Sequence, residues 1–476
     1  MSIIWTVLII CSSVATAQKN VLFIAVDDLR PELGCYGSNI AQSPHIDRLA
    51  DRSVVFRQHF VQVPTCGASR YALLTGQSPA RSGVTSGNAA AYQGRTAFSQ
   101  QETAAAQTMP ELFRRNGYHT VLIGKISHTA DGLVYEYDGS GDGRVELPFA
   151  WDNFATPLGQ WQRGWGVFFA YANGAHREDG LQHNDLMQFV ADNDEDLPDG
   201  LMATAAIKKL EDLQQSNQPF FIGLGFFKPH LPFVATHQDW EAFEGIEIPG
   251  PPNPDQPASR HWHNSGEFFK YDFPFEKERP LSPERVAACR RAYLACVRYT
   301  DRQIGRVLQA LKTSGLADST IVVLWGDHGW NLGDSAMWAK HSPFERAVHS
   351  PLIIHLPGMS SGQITDALVE TIDLYPTLVE VCELRSSSTA APLDGKSLVP
   401  ILTGSQELVR DCALSYWKNA VTVRTNTHRL IATLKGNTYG EIELYDRSTR
   451  FDPVRNLAAE HPAIVEELVR KLPSFR

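Results

Sequence analysis

Val21-Leu22-Phe23-Ile24-Ala25-Val26-Asp27-Asp28 is the stretch on which the reading of the fold turns. A short apolar run ends abruptly in two carboxylates. Four more runs follow, at 120–124, 220–225, 321–325 and 351–355, and helical patterns lie between them at about 109–116, 201–215 and 283–312, the last closed by Gly315. Apolar runs alternating with helical patterns predict an α/β fold, a mostly parallel sheet flanked by helices. From about residue 406 the pattern changes to short alternating strands at 421–424, 429–434 and 441–446, then a helix at about 462–472. This predicts a smaller C-terminal domain with an antiparallel sheet. The expected organisation is a signal peptide at 1–17, a main domain at 18–405 and a small α+β domain at 406–476.

Ionisable residues follow four of the five runs directly. Asp27 and Asp28 follow the first, Lys125 and His128 the second, Lys228 and His230 the third, and Asp327 and His328 the fourth. In open α/β sheets, ligands bind outside the carboxyl ends of the strands, so the four clusters are expected to converge on one edge of one sheet. Adjacent aspartates repel one another unless a cation neutralises them. Three carboxylates suit a hard cation such as calcium or magnesium, whereas the imidazole of His328 suits zinc. Helix capping by Asp28 explains one residue and not the set.

A second motif lies at Cys66-Gly67-Ala68-Ser69-Arg70, with Leu74-Thr75-Gly76 beyond it. Taken alone, a buried free cysteine is a small hydrophobe. The spacing nevertheless resembles the C-x-(P/A)-x-R…L-T-G signature of the type I sulfatases, and further motifs of that family follow in order. They are the stretch from Asn20 to Gly37, then Gly124-Lys125-Ile126-Ser127-His128, Lys228-Pro229-His230-Leu231-Pro232-Phe233, Gly326-Asp327-His328-Gly329-Trp330 and Trp338-Ala339-Lys340-His341. Together they are most similar to the branch that contains iduronate-2-sulfatase and its bacterial relatives, over most of 19–360.

The resemblance implies an alkaline-phosphatase-like fold and a sulfuric ester hydrolase. It implies that Cys66 is oxidised to formylglycine by a maturation enzyme, and that one Ca²⁺ per chain is held by Asp27, Asp28, Asp327, His328 and position 66. It also implies roles. Arg70 steadies the alkoxide of the hydrated aldehyde, His128 is the base that breaks down the sulfated intermediate, and His230 is the acid that protonates the leaving sugar oxygen. Lys125 and Lys340 bind sulfate oxygens. Position 68 is Ala where many members carry Pro. The implied substrate is a sulfated glycan, a 2-O-sulfated uronate, with Arg424 as a candidate for its carboxylate. The alternatives are galactose sulfates of algal polysaccharides, a phosphatase or phosphonate hydrolase of the same superfamily, and a non-catalytic sulfoglycan-binding protein in which Cys66 stays unconverted.

Composition bounds the partners. The 476 residues carry a formal net charge of −10, which as a whole repels polyanions, so no nucleic-acid partner is expected and a sulfated substrate needs a local cluster of cations. An apolar core at 3–10 and Ala15-Thr16-Ala17 predict a cleaved export signal and a secreted or periplasmic protein, and no segment is long enough to span a membrane. Of seven cysteines, Cys11 leaves with the signal; Cys35, Cys289, Cys296, Cys382 and Cys412 are odd in number, scattered, and expected to be structural. The aromatics Trp151, Trp161, Trp165, Phe268, Phe269, Tyr271 and Phe273 are expected to pack loops onto the core. Residues 192–196 are expected to be a solvated acidic loop.

Overall fold

Val26 lies level with Phe226 on one side and with Gly326 on the other, so three strand ends meet at one height. That register belongs to an eight-stranded sheet in a computed structural model, which describes residues 18–474 apart from 217, 264, 272–280, 386–388 and 448–453. The expected signal at 1–17, with Cys11, and Phe273 lie outside the described residues.

The strands are β1 (Asn20–Val26), β2 (Val54–Phe60), β3 (His119–Gly124), β4 (Asn153–Phe154), β5 (Phe220–Phe226), β6 (Thr320–Gly326), β7 (Leu352–His355) and β8 (Gln363–Glu370). Their order is β8-β2-β7-β6-β1-β5-β3-β4. Seven run parallel; β7 alone is antiparallel to both neighbours, a direction the apolar run at 351–355 does not reveal. The central strands are buried along their whole length, as strands covered on both faces are.

Side chains alternate across the sheet. Leu22, Ile24 and Val26 of β1 enter a core shared with the helices Pro44–Ala50, Pro198–Leu213 and Pro283–Thr313. Val21, Phe23 and Ala25 enter the opposite core, shared with Cys66–Thr75, Met109–Arg115 and Leu374–Val381. The result is a three-layer α/β/α sandwich. The longest helix, Pro283–Thr313, starts with Ser282 accepting from the Arg285 N–H and Pro283 in the first turn, where a missing N–H costs nothing. The expected aromatics that are described, from Trp151 to Tyr271, are buried against the core. The acidic stretch departs from expectation, since Asp194 pairs with Arg302 and Glu195 with Arg306 of the long helix.

A four-stranded antiparallel sheet follows, β9 (Ala413–Trp417), β10 (Ala420–Arg424), β11 (His428–Lys435) and β12 (Thr438–Asp446), with the helix Pro462–Val469 on one face. Its other face meets Met337 and Phe344. All six described cysteines are free. Among the described residues, no helix is long and apolar enough to cross a membrane.

Candidate active site

The ladder of the central strands continues for one residue past their ends. The Asp27 N–H donates to the Phe226 carbonyl and the Asp327 N–H to the Val26 carbonyl, both at 3.2 Å. This sets two carboxylates side by side. Asp28 then turns into the left-handed region at φ 60°, which Asp tolerates better than most residues. The turn is fixed by the Tyr293 hydroxyl, which donates to the Asp28 carbonyl and accepts from the Arg30 N–H, each at 2.8 Å. On the next strand, Gly225 lies so close to the Lys125 backbone that a Cβ would fall 2.0 Å from its carbonyl oxygen. Only glycine lets the loop carrying Lys125 and His128 fold across there.

Cys66 begins the helix Cys66–Thr75, so Arg70 stands one turn along on the same side. The helix start is held by Asn88, whose side-chain oxygen accepts from Thr65 Oγ1 and from the Gly67 N–H, both at 2.8 Å. The positive end of the helix therefore opens at position 66. Lys340 Nζ lies 3.3 Å from Cys66 Sγ and 2.9 Å from Asp28 Oδ1. His328 Nε2 lies 3.2 Å from Sγ and 3.2 Å from Asp28 Oδ1. Arg70 bridges Asp27 at 3.2 Å and Asp327 at 3.0 Å and also donates to the Lys125 and Ile126 carbonyls. Lys125 pairs with Asp27 at 2.8 Å.

Burial and charge divide these groups. Burial pushes Asp27 up, but Lys125 and Arg70 together outweigh it and hold the carboxyl well below the usual range. For Asp327, burial and then the Asp27 charge win over Arg70 and raise it to about 7. Burial, joined by Asp27, also holds the Cys66 thiol well above its ordinary value. As a thiol, position 66 is therefore protonated and a poor nucleophile. Burial, helped by Lys125, keeps His128 neutral; its Nδ1 is buried without a hydrogen-bond partner, beside a cavity of about 80 Å³ lined by Asn88, Tyr137 and Trp165.

The set fits a cation. Burial lowers His328 to about 4, and its Nδ1 lies 2.9 Å from the Gly329 carbonyl, which assigns the ring proton to Nδ1. Nε2 then presents a lone pair to the Asp28 carboxylate and to Sγ. Burial raises the Asp28 carboxyl against the pull of Lys340, and a positive ion beside Nε2 and Asp28 would favour its ionised form. Donor atoms of Asp27, Asp327, His328 and Cys66 all lie within 4.8 Å of one another, as do those of Asp28, Cys66 and His230. Carboxylate oxygens with one imidazole can hold a divalent ion.

The structure thus brings together Asp27, Asp28, Cys66, Arg70, Lys125, His128, His230, Asp327, His328 and Lys340 at one edge. Lys228, beside them in sequence, donates instead to the His230 and Pro232 carbonyls at 3.0 and 2.7 Å and shapes the loop that carries His230. Arg424 is not with them. It ends the inner strand β10, is buried, and pairs at 3.2 Å with Glu345, which also binds Arg429 and Arg447. Its charge is committed to a buried carboxylate at the start of the short helix Glu345–Val348, which corrects its expected place at the substrate. Two residues escaped the sequence reading. Asn88 has no motif around it, and Glu267 lies in an irregular aromatic loop, yet its Oε1 is 3.3 Å from His230 Nε2 and 3.4 Å from Lys340 Nζ.

Comparison with known proteins identifies the family. Residues 19–384 match the sulfatase family model, and residues 326–476 match the model of the N-sulphoglucosamine sulphohydrolase C-terminal region. The chain is 32% identical to a sulfatase of Formosa agariphila, over 91% of this chain and 81% of that protein. It is 31% identical to human iduronate 2-sulfatase, over 78% of this chain and 70% of that protein. A phosphonate monoester hydrolase from Silicibacter pomeroyi shares the alkaline-phosphatase-like fold, with a TM-score of 0.74 at 22% identity over 95% of this chain and 94% of that one. With the family match running through every strand of the main sheet, the chain belongs to the sulfatase family and is a hydrolase of sulfuric esters.

Proposed function

We propose that this enzyme removes sulfate from a sulfated glycan, a 2-O-sulfated uronate, with position 66 carried as formylglycine beside one calcium ion. The observation that carries the reading is the His328 lone pair turned toward Asp28 and position 66, with Lys340 beside them, at the start of the Cys66–Thr75 helix. Residues 18–405 form the catalytic part and 406–476 a smaller unit beside it. Export past a cell membrane, after processing by a formylglycine-generating enzyme, completes the proposal. The match to iduronate 2-sulfatase supports the choice of sugar.

Asp27, Asp28, Asp327, His328 and position 66 would hold the calcium ion, which supplies countercharge and polarisation at a sulfate oxygen. The hydrated aldehyde supplies the attacking hydroxyl that the protonated thiol cannot. Arg70 keeps Asp27 and Asp327 at a fixed separation through two ion pairs. Lys340 and Lys125 hold sulfate oxygens as point charges, and the helix start adds its positive end. His230 directs Nδ1 to the Leu231 carbonyl at 2.6 Å, which leaves Nε2 facing the pocket to protonate the leaving sugar oxygen. His128, neutral and with Nδ1 open, takes a proton as the aldehyde is restored.

The test has two parts. The mass of the peptide around position 66 should show the aldehyde when the chain is made with a matching maturation enzyme. Disaccharides sulfated at single positions, from heparin, chondroitin and carrageenan, should then release sulfate from the uronate 2-O position. Turnover by protein with a proven free thiol would defeat the nucleophile. Release from galactose sulfates alone would move the substrate to algal polysaccharides.

A further inference from the structure

Glu267 places a carboxylate where the chemistry described above gives it no task. Its Oε1 faces two groups beside position 66, His230 Nε2 at 3.3 Å and the Lys340 ammonium Nζ at 3.4 Å. Its Oε2 is buried and has no hydrogen-bond partner. The side chain is 18% exposed, whereas Asp28, 3.7 Å from the same His230 Nε2, is fully buried, so Glu267 lies nearer the surface than Asp28. Its segment is pinned along its length. Trp262 Nε1 donates to the Ser335 carbonyl at 2.8 Å, Ser265 Oγ lies 2.8 Å from His341 Nδ1, and Phe268 stacks on Trp338 at 4.5 Å. Beyond it, the Lys270 carbonyl accepts from Asn184 and the Tyr271 hydroxyl from Arg177.

A carboxylate in this position only accepts hydrogen bonds, and a buried acceptor left open is a place for a donor. In the reaction proposed above His230 Nε2 meets the ester oxygen of the leaving group, and Glu267 lies 3.3 Å from that nitrogen, so a donor that reaches Oε2 would come from the ring position next to that oxygen. We propose that Glu267 is a specificity-determining residue, whose open carboxylate oxygen accepts a hydrogen bond from the sugar hydroxyl adjacent to the scissile sulfate ester. This rests on the sulfate-ester site argued above. It restricts the substrate to sulfates with a free neighbouring hydroxyl, and sugars sulfated or alkylated at that neighbour are excluded by lost hydrogen bonding and by repulsion.

The experiment compares kcat/KM for two probes. One is whichever singly sulfated methyl pyranoside the wild type turns over fastest, from a set covering uronate and galactose sulfates. The other is its analogue with the neighbouring hydroxyl replaced by hydrogen. The wild type should prefer the hydroxyl-bearing probe by a factor of about 10–150, the range for a hydrogen bond to a charged group. In Glu267→Ala that ratio should fall to within about threefold of one, whatever the overall rate. Loss of support to His230 or Lys340 lowers both probes alike and leaves the ratio standing. Glu267→Gln, which keeps the volume and one neutral acceptor, should give an intermediate ratio and serves if the alanine variant does not fold. A ratio near one in the wild type, or an unchanged ratio in the variants, overturns the inference while the sulfatase reading stands. Wild-type protein carrying the aldehyde that turns over no sulfate ester removes both.

Discussion

Replacing Arg70 with Met should be the most damaging single change to the buried charges of this enzyme. The guanidinium is fully buried, pairs with Asp327 at 3.0 Å and Asp27 at 3.2 Å, and donates to two backbone carbonyls. Methionine fills much of the space and supplies none of the donors. Asp27 keeps Lys125 at 2.8 Å, whereas Asp327 keeps little more than the Asp28 N–H at 2.9 Å. Breaking a buried pair by removing one partner costs about 3–5 kcal/mol, because the group left behind must stay charged without solvent or partner or else take up a proton, as Asp327, already raised to about 7, would do. We expect a loss of about 4 kcal/mol in urea unfolding followed through the tryptophans, together with loss of sulfate-ester turnover. The companion variant is Arg70→Met with Asp327→Asn, which removes the stranded charge and should recover at least about 1 kcal/mol relative to additivity. A single variant that loses less than about 1 kcal/mol, or a strictly additive double variant, would refute the view that Arg70 holds this network together.

Other outcomes follow at Asp301, away from the site, and at Gly67, Asp28 and Ala68 within it. Asp301 accepts from the His45 and Ile46 N–H groups, and burial raises its carboxyl to about 7. Its stabilisation is complete below the unfolded carboxyl range and is lost as pH rises to about 7, at up to about 1.4 kcal/mol per pH unit; Asp301→Asn should flatten stability measured between pH 4 and 7. In Gly67→Ala the new Cβ would lie 2.5 Å from the Asn88 carbonyl oxygen, so the helix start and Asn88 must separate, costing about 1–3 kcal/mol by thermal unfolding and lowering kcat. Asp28→Asn should lower the divalent ion found by elemental analysis below the one calcium per chain proposed above, while the melting temperature of chelator-treated protein does not fall. Ala68 occupies the first helical turn, where its N–H has no intrahelical acceptor, so Ala68→Pro should fold normally and change only the fraction of position 66 that carries an aldehyde.

The parts of the fold visible in sequence are those buried on both sides. β1, β5 and β6 are apolar end to end, and the carboxylates just past two of them mark the sheet edge without any knowledge of pairing. β2 went unseen because Arg57 and Gln58 turn to water on its outer half, and β8, at the sheet edge, starts with exposed Gln363 and Ile364. The direction of β7 depends on how its connection runs, which no side chain records. Cys66 and Arg70 are legible as a pair because helical spacing brings them to one side. Glu267 and Asn88 come from loops whose path is decided by what they pack against, so no local spacing announces them.

Cys66 is only 2% exposed, with β1, β6 and the Lys340 segment closed around it. A second protein that oxidises this side chain needs the backbone on either side of it in its own cleft, and the finished fold offers no such length of free chain. If position 66 carries the aldehyde proposed above, its oxidation would therefore belong to the interval between synthesis and closure of the sheet. On that proposal, a chain that folds before it meets the modifying enzyme would keep its thiol, which is 2% exposed and held protonated by burial. The active fraction of a preparation would then record a race already run, and refolding would be the step that reopens it.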